Sequence, residues 1–224
     1  MEAYSAAQIR AAEEPLLAAG VPLMHRAAAA LAREIRLLLP ADRPGRVLIL
    51  VGAGNNGGDA LVAGAELAAG GTDVTVLPTA DRMHEGGRVA ADAAGVRMLA
   101  PTSPTDAAAS VARESDLIVD GILGTGTSAR PALRGRAREI VAAILPVLAE
   151  DGAPVVVAVD LPSGVHPDDG SVPDPAVLPA DVTVTFGACK TGLLIPPAAD
   201  YAGRVVVIDI GLGPELERVT AGSR

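Results

Sequence analysis

The sequence predicts an α/β fold, a three-layer α/β/α sandwich with a mostly parallel, doubly wound sheet and an N-terminal helical extension. Three observations predict it. From Arg46 onward, short apolar runs alternate with stretches of helical periodicity, the rhythm of βαβ units. The runs, such as Val47-Leu48-Ile49-Leu50-Val51, are almost continuously apolar, as strands are when helices cover both faces. Four of the runs end in polar, glycine-rich turns, and in open α/β sheets the carboxyl ends of strands form the ligand crevice.

The elements follow in order. Residues 5–19 predict a helix, with Ser5 as its cap, Ile9, Ala12, Leu16 and Ala19 at helical spacing, and Gly20 as its stop. Pro22 opens a second helix that runs to about Leu39. These two helices precede the first strand of the α/β pattern. They pack against the sheet or against a second subunit, and a homodimer is the expected assembly. Strands are expected at 46–51, 73–77, 96–99, 116–120, 154–159, 181–186 and 204–209. Helices are expected at 59–69, 84–94, 104–113 and 131–149, the last interrupted at Pro146. The Pro- and Gly-rich stretch 161–180 reads as a long surface loop, and long loops at strand ends often carry function. No repeat or linker divides the chain, so a single domain over 1–224 is expected.

Composition removes several function classes. The formal net charge is −9, and there is one Phe, two Tyr and no Trp. That balance argues against a nucleic-acid partner, which needs basic surface and stacking aromatics. The single cysteine, Cys189, excludes an internal disulfide or a zinc cluster and reads as a small buried thiol. The first residues carry acids where a signal peptide needs bases. No apolar stretch reaches the roughly 18 residues that a membrane span requires. A cytoplasmic protein with no membrane association is expected.

Chemistry collects in the four turns. After the first strand comes Gly52-Ala53-Gly54-Asn55-Asn56-Gly57-Gly58-Asp59, a strand–turn–helix order suited to a phosphate. Residues 52–57 satisfy the dinucleotide fingerprint literally, which leaves an NAD(P)-dependent oxidoreductase open as a reading. The ribose acid of that fingerprint is missing, because Asp73 starts the next strand and Asp81 lies beyond Pro78. The other turns are Asp120 to Ser128, Asp160 to Val165 and Gly187 to Gly192. Asp120 and Asp160 offer carboxylates, Asn56 an amide oxygen and Ser163 a hydroxyl, hard ligands that suit a weakly charged cation. Gly124 to Ser128 offers amides and hydroxyls to a phosphate. Lys190 pairs with a phosphate, serves as an acid, or is a solvated surface charge. There is no G-x-S-x-G elbow, no H-E-x-x-H and no P-loop.

Four motifs together resemble one family, the NAD(P)H-hydrate epimerases (YjeF N-terminal domain). They are VGAGNNGGD (51–59), VDGILGTG (119–126), AVDLPSG (158–164) and TFGACKTGLL (185–194), with AGVPLM (19–24) and PPAADYAG (196–203) in support. The resemblance spans about residues 5 to 212 and implies a Rossmann-like sandwich. It implies epimerisation at C6 of hydrated NADH and NADPH (NADHX and NADPHX), which feeds a partner dehydratase that accepts only the S form. Carried over by motif, Asn55, Asn56, Gly57, Gly58 and Asp59 would contact the substrate, as would Gly124, Thr125, Gly126, Thr127, Ser128, Ala129 and Arg130. Asp160 would lie beside the hydrated ring as the acid/base, with Lys190 in support. Asn56, Asp120 and Ser163 would bind one K+ per subunit. The family often carries a fused dehydratase domain, and this sequence shows none. Ala60 stands where the family usually has Gly, and Cys189 where Pro is common. A non-catalytic nucleotide-binding or interaction module is the remaining alternative.

Overall fold

The computed structural model describes residues 2–127 and 130–221. It opens with a two-residue strand β1 (Ala3–Tyr4) and two helices, α1 (Ala6–Ala18) and α2 (Leu23–Arg36). The α1 start is a full capping box. Ser5 Oγ accepts from Gln8 N, and the Gln8 side chain accepts from Ser5 N. Then come β2 (Arg46–Val51), α3 (Asn55–Ala69), β3 (Asp73–Pro78), α4 (Glu85–Ala93), β4 (Arg97–Met98), α5 (Thr105–Glu114) and β5 (Leu117–Gly121). The second half holds α6 (Gly135–Ile144), β6 (Val155–Val159), β7 (Val182–Phe186), β8 (Cys189–Lys190), α7 (Ala198–Ala202), β9 (Arg204–Ile208) and α8 (Gly213–Ala221). After Ile144, α6 tightens into a 3₁₀ turn over Leu145–Ala149, the interruption that Pro146 predicts.

Seven strands form one sheet in the order β4-β3-β2-β5-β6-β7-β9, and every pairing in it is parallel. The chain winds from β2 outward through β3 and β4, then returns to β5 and winds the other way. The topological switch point therefore lies between β2 and β5. Side chains alternate across the sheet as the pleat requires. Val47, Ile49 and Val51 of β2 join α2, α3 and α4 on one face. Leu48 and Leu50 join α5 and α6 on the other. The stretch 161–180 has no helix or strand, and a third cluster pins it, with Leu161, Val165 and Val177 on Cys189, Leu193 and Ala198.

The N-terminal helices pack on this chain's own sheet. Leu31 and Ile35 of α2 are fully buried in the same cluster as Leu61 and Leu67 of α3. Burial of such a side chain contributes about 1.5–3 kcal/mol.

Several features differ from the pattern read in the sequence, among them the unexpected helices α7 and α8. Helix α3 begins at Asn55, four residues before Asp59. Gly57 makes this possible, because a Cβ there would lie 2.2 Å from Gly52 O, so only glycine lets the first turn tuck against the end of β2. The strand pair β1–β8 was not expected, since two residues carry no periodicity to read. Among the described residues, no single helix is long and apolar enough to cross a membrane.

Candidate functional site

The turns after β2 and β5 close on each other at the switch point. Gly52 N donates to Gly121 O at 3.1 Å, and a Cβ on Gly52 would lie 1.8 Å from Ile122 O. Ala60, behind them, is fully buried, and Gly121 accommodates its methyl, since a Cβ on Gly121 would lie 2.7 Å from it. Helix α3 starts beside this junction, capped by extended Gly54. Its opening residues stay near solvent at Ala53, Gly54 and Asn55, where unpaired first-turn amides and the helix dipole favour an anion.

Asn56 reaches from the first turn of α3 into the sheet edge. Its Nδ2 donates to Leu123 O at 3.0 Å and to Val159 O at 2.6 Å, so one amide ties the turn after β5 to the end of β6. Gly124 is glycine because a Cβ there would meet Asn56 Oδ1 at 2.3 Å. Beside them, Asp120 is 1% exposed and makes no ion pair among the described residues. Its Oδ1 accepts from Ser163 Oγ at 2.6 Å and its Oδ2 from Ser163 N at 2.8 Å. Ser163 Oγ in turn accepts from Leu123 N at 2.8 Å. Burial pushes the Asp120 carboxyl up, and the hydrogen bonds from Ser163 and Ile122 pull against that. Two converging carbonyls, one amide, one hydroxyl and one carboxyl group form an oxygen-rich set that fits a monovalent cation. Among the described residues, no group of three or more His, Cys, Asp or Glu is placed to hold a metal ion.

Asp160 follows β6 with φ +70°, a left-handed conformation that costs a non-glycine residue about 1–3 kcal/mol. The strain turns its side chain into a cage. Asp160 Oδ1 accepts from Lys190 Nζ, from Thr185 Oγ1 at 3.2 Å and from Phe186 N at 3.3 Å. Lys190 is 2% exposed and also donates to Thr185 Oγ1 at 3.0 Å and to Phe186 O at 2.9 Å. Its backbone is held by the β1–β8 pair, which sets Tyr4 opposite Lys190. The solvated-charge reading of Lys190 is therefore replaced by a buried ion pair.

Asp160 lines a cavity of about 150 Å³ together with Glu13, Asn55, Asn56, Asp59, Thr125 and a wall of Leu23, Met24 and Phe186. Asp59 is 7% exposed, and its Oδ1 has no hydrogen-bond partner. Burial, then the charges of Asp160 and Glu13, push its carboxyl well above the ordinary range, against the pull of Lys190. Glu13 is raised too, first by burial. A larger cleft of about 700 Å³ continues from this cavity over Ala53, Gly54, Ile122, Gly124 and Gly126, and shares Glu13, Asn55, Asn56 and Thr125 with it.

The expected residues thus fall into groups. Asn55, Asn56, Asp59, Thr125 and Asp160 line the inner cavity, and Gly124 and Gly126 the outer cleft. Gly57 and Gly58 are buried, and their missing side chains make room for Gly52 and His84. Thr127 lies in the 3₁₀ turn Thr125–Thr127, while Ser128 and Ala129 lie outside the described residues. Arg130 lines an adjoining pocket with Thr79 and Arg134, which shares Ala53, Ile122 and Leu123 with the outer cleft. Sequence reasoning missed Glu13 and Arg10 of α1. Arg10 lines the outer cleft and its Nη1 donates to Thr125 O at 3.2 Å. Nothing in the helical periodicity of α1 marked either residue as facing the cleft.

Comparison with known proteins gives four findings. A family model described as YjeF-related protein N-terminus matches residues 20–192. A protein of Clavibacter michiganensis subsp. michiganensis named NAD(P)H-hydrate epimerase is 59% identical over 212 residues, covering 94% of this chain and 91% of that one. A protein of Pyrobaculum aerophilum named bifunctional NAD(P)H-hydrate repair enzyme Nnr is 38% identical, covering 98% of this chain and 44% of its own length. Among solved structures, yeast ynu0 (YNL200c) superposes with a TM-score of 0.75 at 21% identity, over 92% of this chain and 87% of that one, which is a likeness of fold.

Proposed function

The chain belongs to the YjeF-related protein N-terminus family, and on that premise we propose that it is an NAD(P)H-hydrate epimerase, interconverting the R and S epimers of NADHX and NADPHX. One observation carries the reading: a buried carboxylate, Asp160, held by Lys190 and Thr185, faces a cavity at the switch point of a parallel sheet.

C6 of the hydrated ring bears both a hydroxyl and the ring nitrogen, so it is a hemiaminal. Ring opening and reclosure, or loss and return of the oxygen, both pass through a planar C6 and scramble its configuration. Either route needs one placed proton relay, worth roughly 10²–10⁴-fold in rate. Asp160 serves as that relay at the C6 hydroxyl. Lys190 fixes its carboxyl group through a buried ion pair. Asn55 to Asp59 and Gly124 to Arg130 bind the dinucleotide, with its phosphates at the start of α3. Asn56, Asp120 and Ser163 would hold K+. When bound, it supplies a fixed positive charge that orders these turns. A dehydratase consumes the S form, a pairing that the two-activity name of the Pyrobaculum relative supports. The working setting is a cytoplasmic homodimer.

The test follows purified R-NADPHX in potassium buffer by chromatographic separation of the epimers, with a protein-free control for spontaneous epimerisation. S form well above that control is expected, and Asp160→Asn should slow it about 10²-fold or more. An unaccelerated wild type overturns the epimerase reading, and an Asp160→Asn variant at full rate overturns the base. Potassium should also raise the melting temperature of the wild type above its value in lithium, by mass action on the folded state. Ser163→Ala should abolish that difference.

A further inference from the structure

The reading above gives Asp59 a binding contact and no part in the proton transfers. Asp59 lines the same cavity as Asp160, is 7% exposed, and presents an Oδ1 that no described residue meets. The two carboxylates are treated in opposite ways. Asp160 Oδ1 takes three donors, one of them the Lys190 ammonium. A buried carboxylate oxygen with no donor is costly while charged, and a proton removes the charge and makes the group a donor.

Resting on the epimerase reading, we propose that Asp59 is a second catalytic group, the acid partner of Asp160, giving a proton to ring nitrogen N1 as Asp160 takes one from the C6 hydroxyl. In the forward step the O–H bond breaks toward Asp160 and its electron pair forms the C6=O bond. The C6–N1 bond then breaks, and its pair stays on N1, where it takes the Asp59 proton. The open form is an aldehyde with a neutral amine. Rotation about C5–C6 presents the other carbonyl face. In reclosure N1 attacks C6 and returns its proton to Asp59, while the oxygen takes the proton back from Asp160. Both carboxyl groups end as they began, and no oxidant or reductant is consumed.

The surroundings of Asp59 agree. Glu13 faces it from α1 and Asp160 from the end of β6, and both push its carboxyl up. Lys190 of β8 pulls it down, but its Nζ is engaged with Asp160, Thr185 and Phe186. Helix α2 and β7 present only Leu23, Met24, Ala27 and Phe186 to this cavity. Arg26 donates to Ile210 O, and His84, against Gly58, accepts from Gly87 N. Carboxyl pairs whose environments drive them apart are how one site keeps an acid and a base together at neutral pH.

The test compares wild type with Asp59→Asn on R-NADPHX across pH, with NADPH as the unreactive binding probe. At neutral pH the variant should lose about 10²-fold or more in kcat, a larger factor than any it loses in NADPH affinity. The wild-type rate should fall on the alkaline side as Asp59 loses its proton, and that limb should vanish in the variant. Asp59→Glu, which keeps an acid one methylene further out, should recover part of the rate. Carbon-13 NMR of wild type labelled at the aspartate carboxyls should show a neutral carboxyl at pH 7 that Asp59→Asn removes. An ionised Asp59 in that spectrum, or a variant at full rate with its alkaline limb intact, overturns the proposal. An inactive wild type fails the epimerase reading itself, and an active wild type with an active Asp59→Asn fails only the acid.

Discussion

The Asp160–Lys190 pair shows how much one residue's environment decides. Both groups are buried, and the lysine spends all three of its donors on Asp160, Thr185 and Phe186. Lys190→Met should therefore leave an uncompensated carboxylate and cost about 3–5 kcal/mol in urea unfolding. Adding Asp160→Asn to that variant should return most of the loss. The charge is then gone, and Asn tolerates the left-handed backbone at φ +70°. A double variant no more stable than Lys190→Met would mean that the lysine stem, and not the ion pair, carries the stability.

At the scale of elements, the glycines of the turn after β2 divide into two kinds. Gly52 and Gly57 serve packing between backbones, while a Cβ on Gly54 meets nothing within 4 Å. Gly52→Ala should cost about 3 kcal/mol, the top of the usual overpacking range, since Ile122 O cannot move without breaking the β2–β5 junction. Gly54→Ala should cost only about 0.5–1 kcal/mol, the loss of a favourable N-cap. Chemical denaturation of the two variants side by side separates these roles. The G-x-G-x-x-G spelling therefore reflects strand–helix packing at Gly52 and Gly57, while Gly54 stays open.

For the whole molecule, the carboxyl groups set a stability curve with two falling limbs. Asp116 is held below the usual range by hydrogen bonding to Arg43, so its contribution is present above ordinary carboxylate pH and fades as pH falls through the lowered value. Asp59 and Glu13 are raised by burial, so their contribution is full below the ordinary carboxylate value and is lost as pH rises through the raised one. Asp59→Asn should flatten the second limb and leave the first unchanged, as followed by melting temperature against pH. A second limb that persists undiminished would assign it to other groups.

The sequence by itself determined the sheet. Apolar runs at β2, β3, β5, β6 and β7 are visible because both faces of each strand are buried, and burial writes directly into residue type, while the edge strand β9 keeps its apolar run half-exposed. It also showed which turns are polar, because Asn56, Asp120, Asp160 and Ser163 stand near strand ends where packing does not require them. Tertiary structure alone decided what those groups face. Lys190 reads like a surface charge until the β1–β8 pair and Thr185 enclose it, and Glu13 reads like solvent-facing helix until α1 is laid along the cleft. Local sequence encodes period and polarity. The partner of a buried charge comes from segments far apart in the chain, as Asp160 meets Lys190 thirty residues on and Asp120 meets Ser163 forty-three residues on.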